Sequence, residues 1–123
     1  MSWQPTRKVA AMTTTTTPPP AVVALPPKAM RAEDWQPDIV DGRFYRIFEG
    51  EERQIGESIR VWTHGCQYDD GHIDDGTERP IFEAPGISID GLYWAKGISG
   101  DEARHLIDVL VMAVDEIDGW VTR

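Results

Sequence analysis

The side chains with the most chemical reach lie between positions 64 and 78. His64, Cys66 and His72 are zinc-ligand types, and Asp69, Asp70, Asp74, Asp75 and Glu78 surround them. Their spacing argues against a shared ion. If Asp70-Gly71 is a two-residue hairpin loop, Asp69 pairs with His72, and alternation sets His72 on the opposite face from His64 and Cys66. If Asp75-Gly76 is the loop, His72 shares their face but lies about 20 Å from Cys66 along an extended strand. Only a bulge, with Gly65 as its source, would gather all three. The acids also miss the EF-hand template, because counting back from Gly71 or from Gly76 puts Cys66 or Gly71 at the first ligand position. Solvated turns and a packed cysteine are the expectation, with no metal.

Nucleophilic chemistry fares no better. His64 and Cys66 are same-face neighbours on a strand, about 6.5–7 Å apart at Cα, which is long for a base to reach a thiol. His105 falls on the outer side of a helix. No Walker loop or dinucleotide fingerprint occurs, and the glycines at 97 and 100 precede a helix without a lysine. No catalytic residue, cofactor or small-molecule ligand is expected.

A different signal comes from five tryptophans, Trp3, Trp35, Trp62, Trp94 and Trp120. Trp62 shares a strand face with Arg60 and His64, away from Ile59 and Val61. If a helix covers the Ile59 face, Trp62, Arg60 and His64 form an exposed aromatic and polar patch, the kind of surface proteins use to bind one another. These three are the candidate binding residues.

The elements that must position them are short. From Asp41 onward, Asp-Gly pairs at 41–42, 70–71, 75–76 and 90–91 punctuate strand-like runs, and Asp-Gly supplies the positive φ of tight turns. Residues 43–48, 55–68, 80–83 and 87–89 read as strands, with 92–94 as a further short run and 49–52 as a turn around Gly50. Ser99 and Glu102 form a capping box, and apolar residues at 103, 106, 107, 110, 111, 114 and 117 make a helical stripe that ends at Asp118-Gly119. The sheet is the only surface in the chain to cover that stripe. The expected fold is α+β: a small antiparallel sheet under one C-terminal helix.

Residues 1–40 differ in kind. Five threonines at 13–17, prolines at 18–20 and prolines at 26–27 favour solvated, extended backbone. We read 1–40 as a disordered tail and 41–123 as the domain, with Trp35 and Ile39 as anchors where they meet. Met12 opens the low-complexity run and is an alternative start to Met1.

The segments Gln67-Tyr68-Asp69-Asp70-Gly71, Glu78-Arg79-Pro80 and Asp101-Glu102-Ala103-Arg104 through Trp120 resemble small uncharacterised actinobacterial and phage proteins. The resemblance covers roughly residues 59–121. It implies a strand–strand–helix layout and an accessory gene product, and it carries over no site.

Charge narrows the partners. The net charge is −9, and all 21 acids lie beyond residue 31. Such a body repels phosphate, so direct nucleic-acid binding is not expected. One cysteine allows no internal disulfide, and no apolar run approaches the roughly 20 residues of a membrane span; a cytoplasmic protein is expected. The leading functional expectation is a non-catalytic interaction or accessory module with a protein partner or a second copy of itself. The alternatives are an acidic mimic of nucleic acid that occupies a basic protein, and a small metal- or cysteine-dependent enzyme.

Overall fold

The computed structural model describes residues 22–39, 42–77, 84–93 and 96–121. An antiparallel sheet of six short strands carries one helix on one face: β1 (Ala29–Ala32), β2 (Gln36–Pro37), β3 (Phe44–Gly50), β4 (Arg53–Ile55), β5 (Ile59–Tyr68), β6 (Gly86–Asp90) and α1 (Gly100–Trp120). This is the α+β architecture expected. The runs at 80–83 and at Trp94 lie outside the described residues, and Leu92 and Tyr93 are in no strand.

β5 is the spine. β6 pairs with one edge, Arg60 opposite Asp90 through His64 opposite Gly86. The other edge takes both β3 and β4. Glu49 lies opposite His64 and Arg53 opposite Val61, so the outer strand holds one more residue than β5 between these pairs. That is a β-bulge at Glu51-Glu52, and it bends one long strand into β3 and β4. The turn expected around Gly50 is therefore absent; the chain reverses at Gly56, where φ is +63°. Gly50 serves close approach instead. A Cβ there would sit 2.1 Å from Thr63 Oγ1 and 3.0 Å from Glu116 Oε1.

The tail boundary also moves. The sheet begins at Ala29, with β1 and β2 both paired to β3, so the domain starts well before Asp41. The preceding residues are held by side chains distant in sequence. Arg46 Nη2 donates to Val23 O at 2.9 Å, Gln67 Nε2 to Ala24 O at 2.9 Å, and Trp120 Nε1 to Pro27 O at 2.6 Å. Proline lacks a donor but keeps its carbonyl, so a proline-rich segment still offers acceptors. Trp35 does anchor this region, under the Arg46 guanidinium at 4.4 Å, whereas Ile39 is 94% exposed. The Thr/Pro run at 13–20 lies outside the described residues.

The core forms between α1 and the sheet. Ile55, Ile59, Val61 and Val109 make one cluster, and Phe48, Ile117 and Trp120 the other. Phe48 meets Trp120 edge to face at 4.8 Å, and Gly65 leaves room for the Phe48 ring; a Cβ there would come within 2.6 Å. The capping box forms as expected: Glu102 N donates to Ser99 Oγ at 3.1 Å, and Ser99 N to Glu102 Oε1 at 2.9 Å. The helix passes Gly119 and ends at Trp120, with Val121 extended as its C-cap. Burial of the Trp120 ring secures that last half-turn.

Candidate functional site

α1 packs on the sheet through Val109, Ala113, Glu116, Ile117 and Trp120. Of the stripe expected from the sequence, Leu106, Leu110 and Ile117 pack on the core, whereas Ile107, Val111 and Val114 do not. The contact face is rotated, and it admits a glutamate because Arg53 from β4 pairs with Glu116 while Thr63 Oγ1 donates to it at 3.0 Å. Apolar residues on the outward side consequently stay in water: Ile107, Val111 and Val114 are 59%, 58% and 47% exposed. With half-buried Leu110 and the Asp115 side chain they line a shallow open groove along the helix. Their 4-then-3 spacing is that of a helix-packing seam. Arg104 and Asp118, also exposed, continue the same column above and below it.

The opposite sheet face is the one that the sequence singled out. Trp62, Arg60 and His64 do share it, away from the helix. Arg60 is exposed and ion-paired with Asp90 at 2.5 Å, which raises its pKa; Trp62 and His64 are half-buried. Trp62 lies opposite Ser88, and His64 lies between Glu49 and Gly86. Further along the same face the surface closes, because Cys66 and Tyr68 are buried. The patch is therefore smaller and more polar than expected, and its charge is already matched.

The 64–78 region resolves into separate small networks. The hairpin loop has three residues, Asp69 to Gly71, with Tyr68 N donating to His72 O at 2.9 Å and Gly71 at φ +96°. Neither two-residue register applies. His72 stacks on the Tyr68 ring at 4.8 Å, and its Nδ1 lies 2.5 Å from Asp70 Oδ1. Burial raises the Asp70 carboxyl, but hydrogen bonds from the His72 backbone and ring outweigh this and hold it below the usual range. Tyr68 Oη donates to Asp74 at 2.8 Å, with both side chains fully buried; burial first, and then this bond, push the phenol pKa up. Asp75 is held low by the Thr77 hydroxyl and N–H. Among the described residues no group of three or more His, Cys, Asp or Glu side chains is arranged to hold a metal. Among the described residues no helix is long and apolar enough to cross a membrane.

Sequence reasoning missed the outward face of α1 as a surface. The signal was present: apolar residues at 106, 107, 109, 110, 111, 112, 113 and 114 exceed what one face of a helix can bury. No protein-family model, no curated protein and no solved structure matches the chain.

Proposed function

We propose that the protein is a non-catalytic interaction module that docks another protein along the outward face of α1. One observation carries this reading: the exposed seam of Ile107, Val111 and Val114, which lies on a well-capped helix and which the sheet leaves uncovered. Contiguous exposed apolar surface on a rigid element is where proteins meet. A purely acidic mimic of nucleic acid would bind through carboxylates alone and has no use for such a seam. A cytoplasmic, accessory role fits a buried thiol in no disulfide.

A photo-crosslinking amino acid installed at position 111, at position 62 and at exposed Glu57 tests this in the living source cell. The expected result is a discrete protein adduct from position 111. Adducts from position 62 alone would move the site to the open sheet face. No protein adduct from either would remove the reading.

A further inference from the structure

The Arg53–Glu116–Thr63 cluster is enclosed in the core and holds helix to sheet. The Tyr68–Asp74 pair is fully buried and closes on itself through one hydrogen bond. The groove on α1 goes further, because its charges say what would fill it.

We infer that the α1 groove takes a basic amphipathic helix from a partner protein, its apolar face on Ile107, Val111 and Val114 and its lysines or arginines on the flanking aspartates. This rests on the reading of α1 as a docking face and names the chemistry of its occupant. Asp101, Asp108 and Asp115 recur at seven-residue intervals, so they form a row along one flank of the seam, and all three are exposed. Arg104 pairs with Asp101, so Asp108 and Asp115 are the aspartates of the row that a partner's cations would meet. Asp115 lines the groove itself.

The helix terminus adds to this. Its last turn holds no basic residue while Asp115, Glu116 and Asp118 crowd it, and acids at the negative end of a helix dipole are unfavourable. Glu116 is compensated by Arg53. A cation delivered by a partner would relieve Asp115.

A second copy of this chain fits less well. Antiparallel pairing along the seam turns the two aspartate rows onto each other. Parallel pairing stacks Arg104 on Arg104 and sets Asp108 and Asp115 against apolar neighbours. Each copy also carries a net charge of −9. The seam from 107 to 114 is about 10 Å long, so about two turns of a partner helix would cover it.

The test titrates the full chain into a labelled synthetic helix of leucine and lysine, leucines at i, i+3, i+4 and i+7. Controls are a scrambled peptide of the same composition and a glutamate-for-lysine version. Saturable binding is expected, weakened about tenfold by scrambling, by Val111→Glu, and by Asp108→Asn with Asp115→Asn, the last also flattening the salt dependence. Val111→Thr serves alongside, and thermal melts confirm that each variant folds. Equal binding of the scrambled peptide, of the glutamate peptide, or of the Val111→Glu protein would overturn the inference. Sedimentation separates the two levels. A dimer dissociated by Val111→Glu would overturn the basic-helix occupant yet keep the docking face. Peptide binding and oligomeric state both unmoved by Val111→Glu would sink the docking face as well.

Discussion

Arg53 and Glu116 meet almost wholly out of water, so each charge depends on the other. Removing one partner of such a pair leaves the survivor buried and unmatched. Glu116→Ala is expected to lower stability by about 3 kcal/mol, measured as a shift in the urea midpoint. Arg53 Nη1 is already a buried donor without a hydrogen-bond partner, and the other carboxylate near the guanidinium, Glu51, is exposed and 3.6 Å from Nη2. Tyr68 gives a pH signature. Its phenol pKa is raised in the folded chain, so the unfolded chain ionises first. The stability it contributes is complete below a pH of about 10 and is lost as pH climbs from there towards the folded value. The urea midpoint is expected to fall as pH rises above about 10 in the wild type, and to fall less in Tyr68→Phe. Neither network was legible in the sequence. The first depends on how the helix docks on the sheet and the second on the register of a three-residue hairpin, and nothing local marks Glu116 as inward-facing or Asp74 as buried.

At the scale of elements, α1 was the most legible part of the chain, because its cap and its apolar content are local properties. Its orientation was not. A helix apolar on most sides can turn several faces to a sheet, and the choice here follows from Trp120 packing on Phe48 and from Glu116 reaching Arg53 and Thr63. The two faces should respond oppositely to substitution. Val109→Ala is expected to cost about 2 kcal/mol, and Val111→Glu less than about 0.5 kcal/mol, by urea denaturation. The Asp-Gly turns were readable because Gly42, Gly71, Gly76 and Gly91 all adopt positive φ. The bulge at Glu51-Glu52 was not, since a two-glutamate step carries no composition cue. The candidate patch of Trp62, Arg60 and His64 was placed on the correct face by alternation alone. Its partial closure by Tyr68 and Cys66 depends on the three-residue hairpin loop.

Across the whole molecule, the domain is closed at one end by residues that composition assigned to the tail. Val23, Ala24 and Pro27 supply carbonyls to Arg46, Gln67 and Trp120, which come from β3, β5 and α1. A chain beginning at Ala29 would strand three partly buried donors. It is expected to lose about 2–4 kcal/mol, read by thermal and urea melts, although no strand is removed. Among the described residues, the outward side of α1 combines exposed apolar area with a row of aspartates on one rigid element. The most direct measurement is amide chemical-shift mapping of the isotope-labelled full chain on addition of the leucine–lysine helix. Shifts are expected to concentrate between Ile107 and Asp118, with Arg60, Trp62 and His64 unmoved. Shifts centred on β5 and β6, or spread evenly over every acidic residue, would contradict docking on α1.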